Sequence, residues 1–145
     1  MSVATRLALG ALSVISALTA VSIPASETMP ARLYEVTTKT GMPHLEENLR
    51  YAVTRENRCL TSGDLESAFP ILKSASLANC KLRHERRQSD AVSYVLVCDG
   101  GHGTTGSARW RVGEQLIVGT LNVKLGGKNM TFFQRVTAKP LGQCR

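Results

Sequence analysis

The sequence predicts a mainly β domain, an antiparallel meander of about seven strands that forms a strongly curved sheet or an open barrel. It also predicts one short helix and two disulfides. Three observations lead to this class. Polar and apolar residues alternate along several short segments, glycine-containing pairs suited to tight turns separate the later ones, and four cysteines occur without a Cys-x-x-Cys pair. A chain of 145 residues, 43% of them hydrophobic, suits one globular domain and excludes wholesale disorder.

The first 25 residues have the pattern of a cleavable secretory signal peptide. Arg6 is the only charged residue before Glu27, and residues 7–21 form an unbroken run of apolar and small residues. A transmembrane anchor is the alternative, but serines and threonines dilute this run, which is shorter than the ~20 apolar residues of a typical span. We therefore expect a signal peptide at 1–25, a single disulfide-stapled β domain at 26–145, no transmembrane span after cleavage, and a periplasmic or secreted location.

The net charge of +7 falls to +6 when Arg6 is removed with the signal peptide. Such a charge favours attraction to anionic surfaces, including lipid headgroups and polyanions. The basic residues are spread along the chain except for one cluster, formed by Lys81, Arg83, Arg86 and Arg87. Because Glu85 lies within this cluster, it is more typical of a solvated strand face than of a nucleic-acid site, and we expect no nucleic-acid partner.

Two strands and a short helix are expected before Lys81. Residues 33–40 and 49–58 are strand candidates, joined by a loop that contains glycine and proline. Thr61 or Ser62 suits the N-cap of a short helix, because acidic residues follow in its first turn. Pro70 limits the length of that helix.

Residues 80–98 form two strand-like runs around a polar turn, for which we expect a three-residue loop at residues 88–90. This register places both sulfurs on one face with Leu82, Leu96, Tyr94 and Val92, whereas Val95 and Val97 fall on the other face with the charged residues, and a slip of one residue would destroy that pattern. The predicted opposed pairs are Cys80–Cys98, Leu82–Leu96, His84–Tyr94 and Arg86–Val92. A cross-strand Cys80–Cys98 disulfide follows, which leaves Cys59 to pair with Cys144.

Two further hairpins complete a run of five consecutive antiparallel strands. Gly113-Glu114 suits a type II′ turn and Gly126-Gly127 a type I′ turn. The predicted pairs in the first hairpin are Val112–Gln115, Trp110–Ile117 and Gly106–Leu121, and those in the second are Val123–Met130, Leu121–Phe132 and Ile117–Val136. Both hairpins direct Ile117, Leu121 and Val123 inward, so turn chemistry and alternation agree.

Sequence motifs that form catalytic or binding sites in other proteins lack their usual context in this chain. Residues 101–106 match G-x-G-x-x-G, but strand-like residues follow where a dinucleotide site needs a helix, so the glycines are expected in a turn and in a bulge or a close backbone approach. The histidines, His44, His84 and His102, show no metal-ligand spacing. Ser107 with His102 would be a hydrolase candidate, but no G-x-S-x-G nucleophile elbow is present. We expect no catalytic residue, metal or cofactor.

Four inward-facing side chains are the candidates for ligand binding. If the sheet curls without closing, these residues could line an apolar pocket that is open at one end. They are Trp110, Phe132, Met130 and Tyr94.

The sequence also resembles a known family through its cysteines and their flanking residues. The matching segments are Leu33-Tyr-Glu-Val36, Cys59-Leu-Thr61, Cys80, Cys98-Asp-Gly-Gly101 and Gly142-Gln-Cys144. Over residues 31–145 they resemble the bacterial exported family called domain of unknown function 3617. The resemblance implies a periplasmic or secreted bacterial protein, and it implies no activity and no site residues.

The leading hypothesis is an exported, non-catalytic β domain that binds an envelope component or an apolar small molecule. A structural or protein-interaction module of the envelope, with an envelope protein as its partner, is the second hypothesis. A hydrolase is the third.

Overall fold

The computed structural model describes residues 31–42, 51–100, 103–126 and 130–144. These residues form one antiparallel sheet of seven strands, which confirms the predicted mainly β class. The strands are β1 (Arg32–Gly41), β2 (Tyr51–Leu60), β3 (Cys80–Gln88), β4 (Ala91–Cys98), β5 (Thr105–Val112), β6 (Ile117–Leu125) and β7 (Met130–Gln143). The predicted signal peptide, residues 1–25, lies outside the described residues.

The order of strands across the sheet is β2-β1-β7-β6-β5-β4-β3, so β2 and β3 are its two edges and the sheet is not closed. Strands β3 to β7 form the predicted five-stranded meander. The hairpin of β1 and β2 then adds to the far side of β7, where Thr37 lies opposite Thr137. The first and last strands of the domain are therefore neighbours, second and third from the β2 edge.

A crossover segment, residues 61–79, connects one edge of the sheet to the other. The predicted helix is present at Ser62–Ser67 as a 3₁₀ helix, and two shorter 3₁₀ helices follow at Pro70–Lys73 and Ala75–Leu77. Thr61 is the N-cap residue, and both its backbone N–H and its hydroxyl donate to the Asp64 carboxylate, at 2.6 and 2.8 Å. Pro70 begins the second helix, because proline is tolerated in a first turn but not in a helix interior.

The crossover segment covers one face of the sheet, which we call the inner face. Phe69 packs on Trp110 of β5 with ring centroids 4.8 Å apart, and both side chains are 0% exposed. Leu65 and Leu77 belong to the same buried cluster. The inward residues predicted from alternation, Ile117, Leu121 and Val123, are all buried, which confirms the predicted parity of the strands.

A buried glutamine adds polar contacts to this core. Gln134 of β7 donates from Nε2 to the Thr40 hydroxyl of β1 at 2.8 Å and accepts from the Ile71 backbone N–H at 3.2 Å. Its side chain therefore joins two strands to the crossover segment. Both ends of the amide group have partners, as a buried polar side chain requires.

The β3–β4 hairpin has the predicted register only at its disulfide end. The pairs Cys80–Cys98 and Leu82–Leu96 are confirmed, but the pairs His84–Tyr94 and Arg86–Val92 are wrong. A β-bulge between Arg83 and Arg86 inserts one extra residue, so that Arg86 faces Ser93 and the turn shortens to two residues. His84 lies in the bulge and has a left-handed φ of 57°.

The two glycine hairpins keep the predicted faces but not the predicted pairs. Val112 faces Ile117 rather than Gln115, because residues 113–116 form a longer loop in which the Gly113 N–H donates to the Leu116 carbonyl at 3.1 Å. In the next hairpin Leu125 faces Met130, and residues 127–129 lie outside the described residues. Each register differs from the prediction by two residues, and a shift of two leaves every side chain on its original face.

The structure confirms both predicted disulfides, Cys80–Cys98 and Cys59–Cys144. The first joins the edge strand β3 to its neighbour β4. The second joins the edge strand β2 to the residue that follows β7, across the intervening β1. Because Cys59 comes just before the crossover segment and Cys80 just after it, the two bridges anchor both ends of that segment.

Gly119 provides a test of the core, because it lies opposite Trp110 and a Cβ atom there would clash with the indole ring. We expect Gly119→Ala to reduce the free energy of unfolding by about 1–3 kcal/mol, as overpacking does. Urea denaturation measures this change. Gly63→Ala is the matched control, since its nearest atom would be 3.7 Å away. Equal stability of the two variants would contradict the close packing of Trp110.

The disulfides should contribute unequally to stability, because they close loops of very different lengths. The sequence separations are 85 residues for Cys59–Cys144 and 18 for Cys80–Cys98. In the chain-entropy model their removal lowers the free energy of unfolding by about 4–5 and about 3 kcal/mol, respectively. Denaturation of the C59A/C144A and C80A/C98A double variants measures the difference. A larger loss for C80A/C98A would contradict the entropic explanation.

Candidate functional site

The predicted ligand-binding residues lie on or near the inner face. Trp110, Tyr94 and Phe132 are buried, and Met130 is half-buried at the start of β7. An open depression of about 410 Å³ is lined by Phe132 but, among the described residues, by none of the other three. The structure therefore places three of the four candidates in the packed interior and does not gather all four around this depression.

Tyr94 belongs to a small polar network at the bulged edge. Its hydroxyl donates to the Glu85 carboxylate at 3.0 Å, and Glu85 also pairs with Arg87. The hydrogen bond from Arg87 is the main cause that lowers the pKa of Glu85 below 4.5, and the Tyr94 hydrogen bond lowers it further. Burial, followed by the hydrogen bond to Glu85, raises the pKa of Tyr94. The Tyr94 hydroxyl therefore stays protonated and donates its hydrogen bond, and the network holds the bulge of β3 against β4.

The face of the sheet opposite the crossover segment is strongly basic. We call it the basic face and define it by the outward strand positions that alternate with the buried ones. Ten exposed cations occupy these positions: Lys39, Arg55, Lys81, Arg83, Arg86, Arg109, Arg111, Lys124, Arg135 and Lys139. Among the same positions of the described strands, Glu35 is the one carboxylate. Most cations of the described strands therefore lie on one side of the sheet.

Three residues form a row across the middle of the basic face. Arg109 of β5 lies opposite Thr120 of β6, and Thr120 lies opposite Arg135 of β7. Since neighbouring strands are ~4.8 Å apart, the two arginine backbones are roughly 10 Å apart with a threonine between them. Arg111 lies two residues after Arg109 and so points to the same side.

This row forms part of an open depression of about 330 Å³. Its lining consists of three arginines, three small polar residues and one valine: Arg109, Arg111, Arg135, Ser107, Thr120, Asn122 and Val118. In the described part of the chain, no carboxylate lies within ion-pair distance of any of the three arginines. The depression therefore offers many hydrogen-bond donors and an uncompensated positive charge.

The glycine-rich motif occupies a turn and the start of β5. Gly103 has a φ of 71°, and a Cβ atom at Gly106 would lie 2.5 Å from the Asn122 carbonyl oxygen. These two glycines therefore serve a left-handed turn and a close approach of two strands, as the sequence indicated. Gly101, His102 and His44 lie outside the described residues, His84 is exposed in the bulge, and Ser107 is exposed on the basic face.

The arginines of the depression were not singled out from the sequence. The available signal was the Arg109-Trp-Arg111 triplet, in which an inward tryptophan separates two outward cations. The predicted registers also placed Arg109 and Arg135 in one row, but across Val118 rather than Thr120. The cations of this row are far apart in the sequence, so only the pairing of strands shows that they are neighbours.

The Glu85 network gives a pH-dependent test. Because the folded-state pKa of Glu85 lies below 4.5, its contribution to stability is present above that pH and is lost as the pH falls through the lower folded value. We expect Glu85→Gln to lower the free energy of unfolding at pH 7 by up to ~1 kcal/mol, since the site is largely exposed. Thermal unfolding should show this difference shrinking below pH 4.5. Glu114→Gln is the control, and a pH-independent effect of Glu85→Gln would contradict the assignment.

No helix within the described ranges has the length and apolarity needed to cross a lipid bilayer. The two disulfides indicate an oxidising, non-cytoplasmic environment.

Comparison with known proteins finds a family model, Protein of unknown function (DUF3617), that matches residues 30–144. No curated protein and no solved structure matches the chain. The matched range begins just before β1 and ends at the second cysteine of the longer disulfide, so it includes every described strand. The resemblance of the cysteine-flanking segments is confirmed, and the chain belongs to the DUF3617 family.

Proposed function

We propose that this protein is exported after cleavage of residues 1–25 and that its domain binds, without catalysis, to an anionic lipid surface of the cell envelope. The observation that carries the proposal is the distribution of charge on the basic face, where ten exposed cations accompany one carboxylate. A periplasmic or secreted location suits both disulfides and the signal-like sequence.

The physical basis is electrostatic attraction at short range. A basic residue close to an anionic lipid surface contributes about 1 kcal/mol, and the attraction decays within a Debye length of ~10 Å. A sheet surface can present several cations to a membrane together, whereas the same residues on separate loops could not. The central strands β5, β6 and β7 hold five of the ten cations, so they are expected to carry most of the binding.

An apolar ligand on the inner face is less well supported. Trp110 and Phe69 fill the space between β5 and the crossover segment, and Gln134 holds that segment to β7 and β1. A ligand would have to displace these contacts, and the two disulfides oppose separation of the segment from either edge. The basic face is open to solvent and needs no rearrangement to bind.

An interaction module remains the second candidate, because β2 is an exposed edge strand. Its ten residues pair with β1 without a bulge, and residues 52–57 are exposed. An added strand from a partner protein could pair with this edge. The charged residues Arg55 and Glu56 disfavour the apolar packing that such a partner usually supplies, so we rank this function below lipid binding.

Sedimentation with lipid vesicles tests the proposal. We expect the mature domain to bind vesicles that contain phosphatidylglycerol, to ignore vesicles of phosphatidylcholine alone, and to dissociate as salt is raised. Lys124→Glu, on the basic face but outside the depression, should weaken binding roughly tenfold or more. Lys73→Glu on the crossover segment is the matched control, because it changes the net charge equally.

Equal loss in the two variants would show that net charge alone matters and would contradict a role for the basic face. Absence of vesicle binding, with recovery of an acidic envelope protein by cross-linking, would replace the lipid with a protein partner.

A further inference from the structure

The depression at the centre of the basic face has features that a diffusely charged surface does not need. Its three arginines converge on one opening, and hydroxyl and amide groups lie between them. We infer that this depression is a discrete binding site for a single phosphate group. The inference rests on the proposed function in one respect, since it names the chemical group of the lipid surface that the domain recognises.

The register of the strands supplies the geometry. Arg109 and Arg135 flank Thr120 in one row, roughly 10 Å apart at the backbone, so their long side chains can meet above the threonine. Arg111 extends the donor set along β5. All three side chains are exposed and can reorient towards an anion without breaking an ion pair in the described part of the chain.

The chemistry of the lining matches the requirements of a phosphate. Phosphate oxygens accept hydrogen bonds, and a guanidinium group offers planar, paired donors that fit two of them at once. The Ser107 and Thr120 hydroxyls and the Asn122 amide can donate from the sides, and none of the described lining residues is a carboxylate. The volume of about 330 Å³ far exceeds the ~30 Å³ of one water molecule, so a phosphate with its ester substituent fits.

The same lining disfavours other ligands. Three neighbouring guanidinium groups repel a metal cation. Among the described residues, the lining contains no aromatic ring on which a nucleic-acid base could stack, as single-stranded binding surfaces provide. Without an anion, the clustered cations repel one another. Binding of one phosphate relieves this repulsion, whereas an isolated cation on the same sheet would gain much less.

Calorimetric titration at low ionic strength tests the site with two probes, inorganic phosphate and vesicles that contain phosphatidic acid, with chloride as the reference anion. We expect saturable phosphate binding that Arg109→Gln and Arg135→Gln each weaken roughly tenfold or more, because a charge-assisted hydrogen bond is lost. Arg55→Gln is the matched control, since it removes the same charge from the same face outside the depression, and it should change the affinity less than about twofold. Thermal unfolding of each variant verifies that it is folded.

Three outcomes separate this inference from the proposed function. Saturable binding of inorganic phosphate without vesicle binding supports the site and assigns it to a soluble phosphate ester, which overturns the lipid proposal. Vesicle binding that Arg55→Gln weakens as much as Arg135→Gln overturns the discrete site and leaves diffuse attraction. Loss of both phosphate and vesicle binding in Arg109→Gln and Arg135→Gln alone supports a phosphate-bearing headgroup as the ligand.

Discussion

The packing of the crossover segment on the inner face is the interaction on which the rest of the structure depends. A single open sheet with two edges has an apolar face that must be covered, and in the described part of the chain residues 61–79 cover it, without a second sheet or a long helix. Phe69 on Trp110 fills the middle, and disulfides hold both ends. Because one segment provides the second layer, the opposite face of the sheet presents its ten cations to solvent and to a partner.

Much of this architecture could be predicted because side chains alternate between the two faces of a strand, and an error of two residues in the register does not change which of them are buried. The alternation of side chains identified the buried set around Ile117, Leu121 and Val123, and the two glycine hairpins kept that set although their pairs moved by two residues. The turn residues predicted the position of each chain reversal less accurately than the alternation of side chains predicted the buried face of each strand. The loop at residues 113–116 is longer than a type II′ turn, and nothing in the sequence of the first hairpin indicated the bulge at His84.

The position of β1 beside β7 could not be predicted in the same way. Alternation states which face of a strand is buried, but it does not state which strand is its neighbour. The candidate site shares this limit. Arg109, Arg135 and Lys39 are far apart in the sequence and join one row only through the pairing of β5, β6, β7 and β1. The sequence pattern groups the apolar candidates for ligand contact on one face, whereas in sequence the outward arginines do not differ from ordinary solvated charges.

The seam between β1 and β7 has a consequence for how the chain reaches its oxidised state. The Cys80–Cys98 hairpin is local, with a separation of 18 residues, and can be oxidised while most of the chain is unfolded. Thr37 and Thr137 meet across the seam at a separation of 100 residues, and this contact of high contact order is expected to form late. Cys59 and Cys144 meet only after the seam has closed. If Cys59 or Cys144 is oxidised before the Cys80–Cys98 hairpin has formed, it can pair with Cys80 or Cys98 instead, so correct maturation favours an environment where disulfides can be exchanged until the last strand has docked.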